Sequence, residues 1–219
     1  MMPYLALTLT ISVLLLIRAE IRSIRPQIYL LKPLSTLLVI AVAALSMGEP
    51  THNALYTNSI LVGLGLCFGG DLALMFQHRR KPFLLGLVLF LLGHIAYAIA
   101  FTLLGKASGW TLLSALLLLA AGLVFYRLIA ANLDNMRVPV ILYFLVISLM
   151  VIQATGLLGS PALNRTQVLM VISGATLFYI SDVMLAANRF WRPWQYNRIS
   201  LAPYYSGQLL IALSASHFT

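Results

Sequence analysis

Charged residues are scarce in this chain, and that scarcity excludes an ordinary soluble domain. Only 9% of the 219 residues are charged and 61% are hydrophobic, whereas about 25% of a typical soluble domain is charged. A single cysteine, Cys67, excludes an internal disulfide and a thiolate metal cluster. The chain also lacks a phosphate-binding glycine loop, a His-Glu-x-x-His motif and a serine nucleophile elbow. We therefore expect a chain surrounded by lipid and apolar helices, with neither a metal nor a cofactor.

Long apolar stretches make up most of the chain. A membrane-spanning helix needs roughly 17–25 predominantly apolar residues, and eight stretches meet this requirement. They predict an all-α polytopic helix bundle with eight spans, folded as a single transmembrane domain over residues 1–219. The first stretch has no basic segment before it and no small-residue cleavage site after it, so we interpret it as a retained span. The predicted spans are 1–17, 28–47, 57–76, 82–104, 110–130, 138–158, 166–187 and 200–218.

The net charge of +9 comes from basic residues in the short connections between these spans. Twelve of the 14 Lys and Arg residues lie in or beside the connections after spans one, three, five and seven. Only Lys106 and Arg165 lie at the other connections. Because basic loops are retained in the cytoplasm, this asymmetry predicts that both termini lie outside. It also accounts for the positive charge without a nucleic-acid partner.

Two features favour a 4+4 parallel pseudo-repeat. The third span of each predicted half ends in a similar motif, Gly-Gly-Asp71-Leu-Ala-Leu in one and Ser-Asp182-Val-Met-Leu-Ala in the other. Each span that begins on the cytoplasmic side has a proline near its first turn, where an N–H has no helical partner. These prolines are Pro33, Pro82, Pro139 and Pro203. Glycines on spans three and seven are predicted to allow close helix approach: Gly63, Gly65, Gly69, Gly70 and Gly174.

Two of the five acidic residues fall inside predicted spans, Asp71 in span three and Asp182 in span seven. An ionised carboxylate at the centre of a membrane helix costs about 2.5–3.5 kcal/mol on the insertion scale, so such residues normally face the bundle interior and mark function. Each lies six residues before a polar residue at the cytoplasmic boundary, which places both roughly 9 Å inside it. The two carboxyl groups are thus predicted to share one layer. The other acidic residues are predicted to lie in loops: Glu20, Glu49 and Asp134.

A basic residue and a polar helix start are predicted near the same layer. Lys32 lies four residues into span two and shares a helix face with Ser35 and Thr36. We expect Lys32 to contact a carboxyl group or a phosphate directly. The first residues of span eight add hydroxyl and amide groups at a similar depth: Tyr204, Tyr205 and Gln208.

Spans seven and four carry further polar residues. The i, i+3, i+6 spacing of Thr176, Tyr179 and Asp182 predicts a polar stripe on span seven. On span four, His94 and Tyr97 form an i, i+3 pair nearer the middle of the membrane. A structural role is the alternative: each carboxyl group then pairs only with a lysine or a tyrosine hydroxyl, the histidine is a packing residue, and the tyrosines are mainly interfacial anchors.

Four of these motifs together resemble the YhhN family, the bacterial relatives of animal lysoplasmalogenases. They are Lys32-Pro33, Gly70-Asp71, Ser181-Asp182 with Leu185-Ala186, and Tyr204-Tyr205-x-x-Gln208. The resemblance covers nearly the whole chain. It implies an enzyme of the bacterial inner membrane that hydrolyses the vinyl ether bond of lysoplasmalogens, with a lysophospholipid as substrate.

Vinyl ether hydrolysis suits a pair of carboxyl groups. It begins with proton transfer to carbon and continues with water attack on an oxocarbenium ion, as glycosidases do with two carboxyl groups. Burial and a like-charged neighbour favour the neutral acid for one of the two. The catalytic candidates are Asp71 and Asp182. The substrate-binding candidates are Lys32, Tyr179, Tyr204, Tyr205, Gln208 and His94. The candidates for head-group attraction are Arg79, Arg80 and Arg189.

Three other functions remain open at the level of sequence. Paired intramembrane acids and parallel repeats also suit a proton-coupled transporter, which needs polar residues through both membrane halves. An intramembrane aspartyl protease fits less well, because the two aspartates are separated by four spans and no tyrosine adjoins Asp182. A purely structural membrane protein is the third. No oligomeric state follows from the sequence.

Overall fold

The computed structural model describes residues 2–48, 53–194 and 197–216, and over these residues it contains eight α-helices and no strand. The predicted all-α membrane fold is confirmed. Glu49 and the predicted span ends at Met1 and Phe218 lie outside the described residues. The helices are α1 (Met2–Ile21), α2 (Arg25–Leu45), α3 (Ala54–Leu74), α4 (Arg80–Leu104), α5 (Gly109–Ile129), α6 (Arg137–Gly156), α7 (Arg165–Phe190) and α8 (Leu201–Leu213).

Helix α8 differs in length from the other seven. Helices α1 to α7 are long and apolar enough to cross a membrane. Helix α8 has 13 residues, about 20 Å of helix, whereas the hydrocarbon core is about 30 Å thick. A 3₁₀ turn over Asn197–Ser200 precedes it. It packs inside the bundle against α7, α2 and α1, so its surroundings are mainly protein.

The helices contact one another in a pattern that repeats after four helices. The pairs α1–α2, α2–α3 and α3–α4 correspond to α5–α6, α6–α7 and α7–α8, and the contact of α4 with α6 corresponds to that of α8 with α2. The most extensive contacts are α3–α4 and α7–α8. Two parallel four-helix halves produce such a pattern, so it supports the predicted repeat. Helix α5 lies at the periphery, packs chiefly against α6, and has Ile129 as its one buried residue.

Glycines bring the third helix of each half close to the fourth. A Cβ atom added to Gly63 would overlap the ring of Tyr97, and one added to Gly174 would lie 2.8 Å from the carbonyl oxygen of Gly207. Gly63 and Gly174 each precede the aspartate of their helix by eight residues. The prediction was wrong for Gly65, because a Cβ there meets only open space.

Two further local predictions were wrong. Pro33 lies well inside α2, because that helix begins at Arg25 and has Pro26 in its first turn. The other three prolines do occupy first turns. Glu20 belongs to the last turn of α1, where its Oε2 lies 3.3 Å from Nε of Arg198, and it is therefore paired with a base and not free in a loop.

Candidate active site

A cavity of about 90 Å³ lies within the bundle and contains both intramembrane aspartates. It runs toward the end at which α1, α3, α5 and α7 terminate, hereafter the basic end, since 12 of the 14 Lys and Arg residues lie there. Helices α2, α3, α4, α6, α7 and α8 all contribute to its wall. Its polar and charged lining residues are Lys32, Asp71, Gln77, Tyr143, Ser181, Asp182, Arg189, Arg198, Ser200 and Tyr204.

Asp71 is surrounded by donors from two other helices. Its Oδ2 accepts hydrogen bonds of 2.7 Å from the hydroxyl of Thr36 on α2 and of 2.7 Å from the phenol of Tyr204 on α8. Its Oδ1 lies 3.6 Å from Nζ of Lys32. The residue is 2% exposed. Two hydroxyl donors and an ammonium group form an environment that stabilises an ionised carboxylate.

Asp182 has a different environment. Its Oδ2 accepts one hydrogen bond, of 2.6 Å, from the phenol of Tyr143 on α6. Nε2 of His94 lies 3.7 Å from the same oxygen, which is too long for a hydrogen bond. Among the described residues, neither ring nitrogen of His94 has a hydrogen-bond partner. Asp182 thus has one neutral donor where Asp71 has two donors and a cation.

Aromatic rings seal the inner side of the cavity. The ring of Phe178 packs edge-on against Tyr204, with 5.1 Å between centroids, and against His94, with 4.6 Å. Phe90 packs against both Phe178 and Tyr204. Glycine at position 70 makes room for the Phe90 ring, since an added Cβ would overlap it. These rings form an apolar wall on the inner side of the cavity, and this wall limits access by water from the bundle interior.

Three predicted site residues lie just behind this wall. Gln208 donates a 2.9 Å hydrogen bond from Nε2 to the Tyr204 hydroxyl, which in turn donates to Asp71. Tyr205 donates a 3.2 Å bond to the backbone carbonyl of Lys32. His94 is fully buried beside Asp182. These three side chains contact residues that line the cavity and do not line it themselves.

Three other predicted residues are not brought to the cavity. Tyr179 packs its ring against Phe144, 6.3 Å between centroids, outside the cavity lining. Residues six apart on a helix differ by about 120° in direction, since 3.6 residues make a turn, so the predicted stripe from Thr176 was wrong and Thr176 is exposed. Arg79 and Arg80 cap and begin α4 at the exposed surface of the basic end.

Two basic residues do lie where the cavity meets the basic end. The guanidinium carbon of Arg189 lies 3.6 Å from the centroid of the Phe83 ring, which holds the cation at the cavity wall. Arg198, absent from the predicted site, lines the cavity while paired with Glu20 of α1. The side chain of Ser181 donates a 2.9 Å bond to the carbonyl of Ser200 and ties α7 to the segment before α8.

Tyr143 is the functional candidate that sequence reasoning missed. It lies in an apolar run of α6, and tyrosines were interpreted as interfacial anchors. Five of the nine tyrosines that the structure describes are instead buried: Tyr56, Tyr97, Tyr143, Tyr204 and Tyr205. A phenol in the middle of a span needs a hydrogen-bond partner. The position of Tyr143 within an apolar run, in a chain with two intramembrane acids, was the sequence feature that could have indicated its pairing with one of them.

The fold and the cavity define a polytopic membrane protein in which two carboxyl groups from distant helices share one buried site. The chain belongs to the YhhN family, whose profile matches residues 27–215. It is 34% identical over 161 residues to the bovine (Bos taurus) protein named Lysoplasmalogenase TMEM86A, covering 71% of this chain and 64% of that protein. It is 35% identical over 158 residues to the Homo sapiens protein of that name, with the same coverage.

A further relative is Lysoplasmalogenase TMEM86B from Rattus norvegicus, 30% identical over 148 residues, 67% of this chain and 56% of that protein. The chain thus spans less than two thirds of the length of the curated relatives it matches. No solved structure matches the chain significantly.

Proposed function

We propose that this protein hydrolyses the vinyl ether bond of lysoplasmalogens, with Asp71 and Asp182 as the acid–base pair. The observation that carries the proposal is the shared cavity of these two carboxyl groups, whose hydrogen-bond environments differ. The names of the relatives supply the substrate class. A cavity of about 90 Å³ has room for several water molecules, one of which is the second substrate.

The reaction begins with a proton. Asp182, as a carboxylic acid, protonates the vinyl carbon that is not bound to oxygen, and an oxocarbenium ion forms on the neighbouring carbon. The carboxylate of Asp71 removes a proton from water as the water oxygen bonds to that carbon, which gives a hemiacetal. Asp71, now protonated, gives its proton to the glycerol oxygen as the carbon–oxygen bond breaks, and the hemiacetal hydroxyl gives its proton to the Asp182 carboxylate. A fatty aldehyde and a glycerophospho alcohol are released, and both carboxyl groups return to their starting states. One water molecule is consumed.

Contacts of the two carboxyl groups support this assignment of roles. A general base must be ionised, and Lys32, Thr36 and Tyr204 stabilise negative charge on Asp71. A general acid must retain its proton until the vinyl carbon is in position. The lone phenol of Tyr143, with a histidine beyond hydrogen-bond distance, leaves Asp182 better able to hold a proton. The anionic Asp71 also faces the cationic intermediate.

Distances along α7 support a lysophospholipid as the substrate. Arg189 follows Asp182 by seven residues, about 10.5 Å along the helix axis, and both line the cavity. In a lysoplasmalogen six covalent bonds separate the vinyl ether carbon from phosphorus, an extended length of about 8 Å. With that carbon beside Asp182, the phosphate reaches the guanidinium of Arg189, which can bind it through two hydrogen bonds. The basic end then faces the cytoplasm.

A proton-coupled transporter is the second candidate. Polar side-chain atoms without a hydrogen-bond partner among the described residues continue beyond the cavity, on Gln208, Tyr97 and Thr57. Thr57 lies near the start of α3, toward the end of the bundle opposite the basic end. Buried polar atoms of this kind commonly bind internal water, and a water chain through both halves of the membrane suits proton movement.

The decisive experiment compares two lipids that differ by one double bond. Purified protein in detergent is incubated with a vinyl-ether lysophosphocholine and with its saturated-ether analogue, and aldehyde is measured. We expect stoichiometric aldehyde and glycerophosphocholine from the vinyl ether alone. Absence of aldehyde from folded protein, together with proton uptake by proteoliposomes that carry it, would assign the carboxyl pair to transport.

A further inference from the structure

A second and larger space lies between the peripheral helix α5 and helix α6. It is a groove of about 740 Å³, and its lining is apolar apart from Tyr126 and Ser148. On α6 it extends from Val140 near the basic end to Ile152, a length of about 18 Å. It therefore begins at the level of the carboxylate cavity and runs toward the opposite end of the bundle.

The cavity and the groove differ in volume, and this difference suits them to different parts of a substrate. The carboxylate cavity, at about 90 Å³, is well below the 300–1,000 Å³ or so of typical ligand pockets, whereas the groove lies within that range. An extended hydrocarbon chain advances about 1.3 Å per carbon, so 18 Å accommodates roughly 14 carbons. The small cavity can hold reacting atoms and water, and the groove can hold an alkyl chain.

The two spaces adjoin through two shared residues. Val140 and Phe144 line both the cavity and the groove. The Phe144 ring packs against Phe125 of α5, 5.2 Å between centroids, and against Tyr179 of α7. Around them a small hydrophobic cluster of α5, α6 and α7 side chains, separate from the main core, forms the partition. One layer of apolar side chains thus separates Tyr143 and Asp182 from the groove.

We propose that the groove between α5 and α6 binds the alkenyl chain of the substrate, which passes Phe144 to present its vinyl ether carbons to the carboxyl pair. This inference rests on the proposed function. The phosphate at Arg189, the vinyl ether beside Asp182 and the chain in the groove then follow one another away from the basic end. That order matches a single-chain lipid standing in one leaflet, with its head group at the surface and its tail toward the membrane centre.

The groove offers a direct way to shorten the space for the chain. Gly122 lines the groove, and a Cβ atom added there meets nothing within 4 Å, so a tryptophan at this position begins without a backbone clash and can occupy the groove. Gly122 lies three residues from Phe125, whose ring contacts Phe144 at the point of entry, and is therefore about 4.5 Å further along the groove. A four-carbon chain whose first two carbons lie at the cavity extends about 3 Å beyond them and ends before Gly122. A sixteen-carbon chain must pass it.

We expect Gly122→Trp to lower kcat/KM at least tenfold for a sixteen-carbon vinyl-ether lysolipid and less than twofold for a four-carbon one. The matched control is Gly65→Trp, since the space around Cβ is open at both glycines, and Gly65 lies on the exposed side of α3, away from the groove. Equal effects of the two variants on the long substrate overturn the inference. Equal losses on both substrates accompanied by a change in oligomeric state, measured by light scattering, overturn it in favour of self-association through α5.

A binding measurement tests the groove independently of turnover. A saturated-ether lysophosphocholine carrying a diazirine at the end of a sixteen-carbon chain is photo-crosslinked to wild-type protein, and the labelled peptides are mapped by mass spectrometry. We expect labelling around Ser148 to Ile152 that unlabelled saturated-ether lysolipid competes away and that Gly122→Trp reduces. Competable labelling on α3 or α4 instead overturns the inference. Inactive protein that still labels at the groove refutes the proposed hydrolysis and leaves the chain site standing.

Discussion

At the scale of single residues, the unequal partners of Asp71 and Asp182 make their replacement informative. Asparagine keeps the shape of aspartate and much of its hydrogen bonding but can neither donate a carboxylic proton nor act as a carboxylate base. We expect Asp71→Asn and Asp182→Asn each to reduce aldehyde release by about 10²–10⁴-fold. In the proposed mechanism both groups act on one reaction, so the double variant should be little worse than the poorer single variant.

A melting curve recorded beside the assay separates catalysis from structure. If the two aspartates only hold the helices together, loss of activity should follow loss of thermal stability. Substantial aldehyde release from a well-folded variant at either position contradicts the two-carboxylate mechanism, even if the protein is a lysoplasmalogenase.

The pair formed by Lys32 and Asp71 permits a second test. Removing one member of a buried ion pair costs about 3–5 kcal/mol, because the other charge is left without a partner. Lys32 and Asp71 are 5% and 2% exposed, so we expect Lys32→Met to lower the melting temperature markedly. Adding Asp71→Asn to that variant should restore much of the stability while turnover stays lost. A double variant as unstable as Lys32→Met argues that the ammonium group acts elsewhere.

At the scale of helices, the contact between α7 and α8 determines where Tyr204 and Gln208 lie. The backbone of Gly174 is so close to Gly207 that a Cβ would lie 2.8 Å from its carbonyl oxygen. We expect Gly174→Ala to destabilise the protein by about 1–3 kcal/mol through overpacking, and to weaken turnover by moving Tyr204 from Asp71. In the control Gly65→Ala, open space around Cβ should leave the melting temperature unchanged or raised.

The positions of the helices could be predicted from composition, whereas the hydrogen-bond partners of the two aspartates could be predicted only in part. Long apolar runs between short basic connections identify spanning helices directly, and burial of an intramembrane acid follows from its cost in lipid. The pairing of Tyr143 with Asp182 depends on how α6 rotates against α7, which apolar composition does not specify. The eighth span was predicted at 200–218, but the shortness of α8 was not, because apolar residues packed against protein resemble those facing lipid.

At the scale of the whole molecule, each half of the bundle supplies side chains that contact the aspartate of the other half. Asp71 on the third helix of the first half bonds to Thr36 on α2 and to Tyr204 on α8. Asp182 on the third helix of the second half bonds to Tyr143 on α6 and lies beside His94 on α4. Each aspartate thus contacts the second helix of its own half and the fourth helix of the other. Neither half contains a complete set of partners.

The distribution of arginine and lysine predicts how the bundle is oriented. With twelve basic residues at one end and two at the other, we expect the basic end in the cytoplasm and both termini outside. Reporter fusions in the connections at Arg79 and at Arg192 should report a cytoplasmic location, and a fusion at Lys106 an external one. An external location of either arginine-rich connection contradicts this orientation and moves the head-group site of the proposed function to the outer leaflet.

The order of residues along the chain also bears on how the protein is made. Thr36 precedes Asp71 by 35 residues, and Tyr143 precedes Asp182 by 39. When the ribosome delivers each acidic helix to the bilayer, its polar partner has therefore already been synthesised, so neither carboxyl group need face lipid alone at the cost described for an isolated acid. Tyr204 emerges last, on the short helix α8. Each acidic helix of the nascent chain can thus enter the bilayer with a polar partner already available. The complete site forms only when synthesis is nearly finished, because Tyr204 lies on the last helix.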